Sequence, residues 1–216
     1  MKKVLFLLGM VFVFASCRSG KWNITNFGGE MIDASETIVT KTYNLTPFEE
    51  VAMRCVGNVE VIQSDTKNGI NIHDKNVTIK VYTTDLIAFR NSGAAKVTIN
   101  TLDTDNLYLS NSGVGHFELS KLIANKVTVK CSGVGDIDIS GQTDDADLSC
   151  SGVGSIQAED LKALNVTATV SGIGNITCYA SEKLEGKVSG VGSLQYGGNP
   201  KEKHTSHPGA GSVKAL

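Results

Sequence analysis

Asn111-Ser112-Gly113-Val114-Gly115-His116-Phe117-Glu118-Leu119 returns twenty positions later as Cys131-Ser132-Gly133-Val134-Gly135-Asp136-Ile137-Asp138-Ile139. The same Ser-Gly-x-Gly word follows Cys150, Val170 and Val188, with looser copies at Asn91 and at Pro208-Gly209-Ala210-Gly211. Its first glycine falls at 93, 113, 133, 152, 172, 190 and 209, in steps of 18 to 20 residues. A fixed period of this length marks a repeat architecture. After each word polar and apolar residues alternate, giving the pairs Val97/Ile99, Phe117/Leu119, Ile137/Ile139, Ile156/Ala158, Ile176/Cys178, Leu194/Tyr196 and Val213/Ala215. A second alternation precedes the word, as in Leu107/Leu109, Val127/Val129, Leu148/Cys150 and Val166/Ala168/Val170. Period two means strands with one face inward.

Each unit is too short for a strand-helix-strand crossover, which takes about 30 residues or more. Identical spacing favours stacking like on like. The expected fold is all-β: a β-solenoid of about 7–8 coils, with two short strands per coil and coils about 4.8 Å apart. Its inward rows form a continuous aliphatic core that no single coil could bury alone. Gly57-Asn58-Val59-Glu60-Val61 fits an earlier copy, and Val77/Ile79 is placed in the gap before the Asn91 copy. The motif glycines allow positive φ and close coil-to-coil approach. A phosphate-loop reading fails, because no Lys-Ser/Thr and no helical pattern follow them.

The position before each word runs Asn91, Asn111, Cys131, Cys150, Val170, Val188. This column is expected inside, with Asn91 and Asn111 bonding along the axis as side-chain ladders do. Cys131 and Cys150 fall one coil apart, within disulfide Cα range, but their parallel side-chain vectors favour two buried thiols. The row Val114, Val134, Val153, Ile173, Val191 is ambiguous. Strict alternation from Leu109 places it outside, as a stripe for a partner subunit. A glycine bulge would turn it inward, and that is the preferred reading.

Upstream, Lys2 and Lys3 precede an apolar run, Val4 to Ser16, that ends in Phe14-Ala15-Ser16-Cys17. The run is too short to span a bilayer and has the layout of a secretory leader. Small residues before a Cys resemble the bacterial lipoprotein cleavage box. The expected organisation is a leader over 1–16, a lipidated N-terminus and aperiodic tether over 17–36, and the solenoid over 37–216. Lipidated Cys17 would be the membrane anchor, since several acyl chains hold stably where one is marginal. Losing Lys2 and Lys3 takes the formal charge from −2 to −4. With no basic block, nucleic acid is excluded as a partner.

The outward face after each motif is rich in Ser, Thr, Asn and Gln. It carries one carboxylate group, Glu118, Asp136 and Asp138, beside His116. Such a cluster suits acid/base work on a glycan or calcium binding, but a solvated strand face is the favoured reading. Asp144-Asp145-Ala146-Asp147 is likewise read as a solvated turn, and His204 with His207 lacks a third metal ligand. No catalytic, cofactor or metal residues are assigned.

These features resemble the head GIN domain family of auto-transporter adhesins. The resemblance rests on Ile38 to Val51 as an opening strand and turn, Val56 to Val61, the Ser-Gly-Val-Gly series, and Tyr196-Gly197-Gly198-Asn199-Pro200 as a closing turn. Gly69 to Phe89 departs from the family pattern. The resemblance implies an exported β-solenoid of the cell envelope and brings no catalytic residues. The expected function is therefore a non-catalytic, lipid-anchored outer-membrane protein for adhesion to a glycan or envelope protein, or for assembly. Its alternatives are a glycan-active enzyme using Glu118, Asp136 and Asp138, and a self-stacking structural solenoid. Arg18 after Cys17, with no acidic run, favours the periplasmic over the surface side.

Overall fold

The computed structural model describes residues 11–18, 21–25, 40–54, 56–73 and 78–216, with side chains over 42–54, 56–72 and 78–216. The strands in chain order are β1 (Val11–Arg18), β2 (Lys21–Thr25), β3 (Thr40–Asn44), β4 (Glu50–Met53), β5 (Val56–Gln63), β6 (Gly69–His73), β7 (Thr78–Thr83), β8 (Ala88–Asn91) and β9 (Ala94–Ile99). They continue as β10 (Leu102–Asn111), β11 (Val114–Cys131), β12 (Ile137–Cys150), β13 (Val153–Val170), β14 (Ile173–Val188), β15 (Ser193–Gly197), β16 (Glu202–Ser206) and β17 (Ser212–Ala215). From β8 onward every described pairing is parallel and joins one coil to the next. The chain is a β-solenoid of about 8 turns.

The registers follow the repeat. Val97, Phe117, Ile137, Ile156, Ile176 and Leu194 stack as one buried column. Leu109, Val129, Leu148 and Ala168 make another from the strands that precede the motif. Between the two alternations lies a third, shorter side: Leu102, Leu122, Gly141 and Leu161 align, as do Thr104, Ala124, Thr143 and Ala163. Its presence lets β11 and β13 run as 18-residue strands that bend around the core. The coil through β12 is one residue shorter. Gly141 absorbs the difference with φ +132°, where an added Cβ would lie 2.1 Å from the Leu122 carbonyl oxygen.

The motif corners are tight. Ser112 and Val114 donate backbone N–H bonds to Asn91 O (2.8 Å) and Gly93 O (2.9 Å) of the coil before, and Gly115 donates to Val134 O (3.0 Å) of the coil after. A Cβ at Gly113 would sit 2.0 Å from the Gly93 carbonyl oxygen. The first motif glycine is thus fixed by close approach, not by left-handed φ.

Two expectations are corrected. Ile79 does not fill a gap between the Gly57 and Asn91 copies: β5 pairs directly with β9, and β7 pairs on the other edge of β5. The reason is that the chain after β5 leaves the stack, turns back through β6 antiparallel to β7, and extends the opposite end with β3 antiparallel to β6. Val77 lies outside the described residues. The valine row is outside: Val114, Val134 and Val153 are 51–58% exposed, and Ile173 and Val191 are each 64% exposed. No bulge turns it, because the two glycines pass the corner without changing the parity set by Leu109. The stretch read as an aperiodic tether contains β2, which pairs antiparallel with β1, and β1 residues Val11–Val13 lie parallel to β4. Those three belong to the expected leader. The side chain of Cys17, on which the anchor rests, lies outside the described side chains.

Candidate binding surface

The column ahead of the motif is built as its residue types require. Met53, Asn91, Asn111, Cys131, Cys150, Val170 and Val188 follow one another in register. Buried Asn91 Nδ2 donates to Asn111 Oδ1 at 3.0 Å, and Asn91 Oδ1 accepts from Gly93 N at 3.0 Å. Asn111 Nδ2 donates to Gly115 O (3.3 Å), and Cys131 Sγ makes the equivalent bond to Gly135 O at 3.4 Å. The amide ladder is present, and Cys131, Cys150 and Cys178 are free buried thiols. The contact with Cys150 pushes the Cys131 thiol up, with burial acting the same way, and the same contact draws Cys150 down. Burial alone pushes Cys178 up to about 12. These groups are shut inside the core, so they serve packing rather than surface chemistry.

The expected carboxylate group is on the surface, on adjacent rungs, but each member has its own partner. Glu118 Oε2 faces Lys96 Nζ at 3.5 Å in the coil before. Asp138 Oδ2 faces His116 Nε2 at 3.6 Å, so His116 belongs with Asp138 rather than with Glu118. Asp136 Oδ1 accepts from Ser155 N at 2.9 Å, and Asn175 Oδ1 does the same for Ser193 N at 3.0 Å two coils on. An acid in one coil and an amide in another perform one task, which is to brace the next rung at the corner. Alternation could not reveal the two ion pairs, because each crosses between coils along a diagonal.

Asp144 and Asp145 are exposed, with Asp145 Oδ1 accepting from Asn165 Nδ2 at 2.9 Å. His204, on β16, and His207 are exposed and separate. Among the described residues no group of three or more His, Cys, Asp or Glu is arranged to hold a metal ion. One open groove of about 430 Å³ runs across the third side. Asp103, Asp105, Asn125 and Gln142 edge it, and partly exposed Ile123 and Leu164 lie within it. Sequence alternation missed it because this side is only three residues wide. A polar rim over an aliphatic floor offers hydrogen bonds and contact area to a ligand.

A family model described as "Putative auto-transporter adhesin, head GIN domain" matches residues 35–200. A crystal structure of a "putative adhesin" from Bacteroides fragilis superposes with a TM-score of 0.83 at 31% identity, covering 85% of this chain and 99% of that one. The chain belongs to the head GIN domain family. More distant solved structures share the fold alone. One, from Parabacteroides distasonis, titled a "putative adhesin", has a TM-score of 0.67 at 19% identity, covering 85% and 98% of the two chains. Another from that organism, titled a "putative lipid binding protein", has a TM-score of 0.61 at 18% identity, covering 86% and 99%. Among curated proteins, nothing matches this head GIN chain.

Proposed function

We propose that this protein is a non-catalytic adhesion or binding protein of the cell envelope, held on the outer membrane through lipidated Cys17. The observation that carries the reading is the pairing of every outward carboxylate in the Glu118, Asp136 and Asp138 group with a base or a backbone amide. Hydrolysis of a glycosidic bond needs two convergent carboxyl groups with distinct protonation states, and these three instead brace coils. The likeness to the Bacteroides fragilis protein supports adhesion as the class of function. A glycan or an envelope protein is the expected ligand, taken up along the groove of the third side.

Binding of the purified chain to glycan arrays and to whole cells tests the reading, and an absence of any binding refutes it. An Asp136→Ala/Asp138→Ala variant should bind as the parent does. If the parent released sugar and the variant did not, the enzyme reading would replace this one. For the anchor, Cys17→Ser should move the protein from the membrane to the soluble fraction.

A further inference from the structure

The exposed row beside the motif glycines needs a reason. Val56, Val114, Val134, Val153, Ile173 and Val191 stand 51–64% exposed, and their rungs stack in register with only Ala94 interrupting. Their backbone bonds make no demand on the side chain: Val114 N and Val134 N donate to the coil before, whatever the residue carries. Exposed Ser112, Ser132 and Ser151 flank the row on one side and motif glycines on the other, so nothing bulky shields it. Six rung steps at about 4.8 Å make a stripe about 29 Å long. Patches of this kind mark interaction sites.

We infer that this stripe is the contact between two copies of the chain, lying side by side and pointing the same way. Charge selects the partner and its direction. On the coil that carries Val134 the column just before the corner holds Lys130 and the face just after it holds Asp136 and Asp138, whereas on the coil of Ala94 Arg90 is taken up by Glu50 and Lys96 by Glu118. A twofold axis along the rod sets the first flank of one copy against the second flank of the other at the same rung. Lys130 then meets Asp136 and Asp138 of its mate, since all three belong to the coil that carries Val134. A twofold axis across the rod would set the column of Lys130 against its own counterpart. A strip about 29 Å by about 20 Å buries on the order of 600 Å² per copy, at the lower bound of specific interfaces. The dimer is therefore concentration-dependent.

Cysteine cross-linking of the full chain in detergent, with copper–phenanthroline and air as oxidant, reads the arrangement. Val114→Cys should link to itself and Ile173→Cys to itself, since equal rungs face one another within disulfide range. Mixed Val114→Cys and Ile173→Cys chains should not link to each other, being three rungs apart. Lys130→Glu should cut self-linking of Val114→Cys at least fivefold, and Asp138→Lys added to it should restore the yield. Linking only between the mixed chains, linking no greater than that of Lys162→Cys on the third side, or indifference to Lys130→Glu overturns the inference. The same pattern is expected with Cys17→Ser at higher protein concentration, so a failure of the anchor proposal leaves this result readable.

Discussion

Replacing Asn111 by Val is a natural experiment within one molecule, because Val170 and Val188 occupy the same column three and four coils on. The shape is already known to fit such a corner. What changes is hydrogen bonding. Asn91 Nδ2 loses its 3.0 Å acceptor and the Gly115 carbonyl loses its 3.3 Å donor, both in the buried interior. Each stranded group costs about 1–3 kcal/mol, and the added apolar burial returns about 1 kcal/mol. The expected net loss is about 2–3 kcal/mol. Asn91→Val strands Asn111 Oδ1 and the Gly93 N–H instead, at a similar cost. In the double variant the shared amide bond vanishes from both ends, so the loss should fall short of the sum by about 1–2 kcal/mol. Asn111→Cys keeps a donor for the Gly115 carbonyl, as Cys131 does for Gly135, and should cost less than Asn111→Val. Urea unfolding followed by far-ultraviolet circular dichroism, at unchanged slope, measures all four. Additive single losses, or an Asn111→Val chain as stable as the parent, would refute the ladder as a coupled unit.

Gly113→Ala must push its Cβ from 2.0 Å to beyond 3.0 Å from the Gly93 oxygen, opening the corner by about 1 Å. With two backbone bonds disturbed, the loss should be about 3–4 kcal/mol by urea midpoint, against about 0.5 kcal/mol or less for exposed Ser132→Ala. Phe117→Ala removes a ring that is 1% exposed and stacked edge-on to Phe89 at 5.5 Å, and calorimetry should show a loss of about 3–5 kcal/mol. Cys178 holds its proton in the folded chain up to about 12, while the unfolded thiol ionises from 9.0. Stability from this group is complete below pH 9 and falls between pH 9 and 12, by up to about 4 kcal/mol. Cys178→Ala should flatten, though not abolish, the alkaline fall in urea midpoints, since Cys131 acts in the same sense.

The stacking was legible because seven copies of one word fix both the period and the register, and register in turn fixes which side chains meet. That is why the Asn91–Asn111 bond and the two thiols could be read from residue order alone. The valine row was misread for an instructive reason. Parity from Leu109 through the corner placed Val114 outside, and only a bulge at the motif glycines would have turned it inward. The order at the far end was not legible at all. Val59 stacks on Val97 across a gap of 38 positions, and no local pattern says that the intervening chain turns back to add β7 on the opposite edge. The ion pairs of Glu118 and Asp138 were hidden for a different cause, because a rotamer's lean decides which coil a long side chain reaches.

A solenoid separates what its positions must do. Inward columns answer to packing, and the first motif glycine answers to the carbonyl of the coil before it. Outward columns answer to neither, and most of them here are Ser, Thr, Asn or Gln, with charges taken up by neighbours. Against that background the position between the two motif glycines stands apart. It needs no apolar side chain to hold its corner, since its N–H is satisfied through the backbone and serine would fit the same space. At Val114, Val134, Val153, Ile173 and Val191 it is nevertheless β-branched and more than half exposed. Water contact with such a row costs free energy in an isolated chain, and the cost is removed only when something apolar covers it. A second copy offers a row of the same length, the same pitch and, with both rods pointing one way, Asp136 and Asp138 level with Lys130 at the Val134 rung.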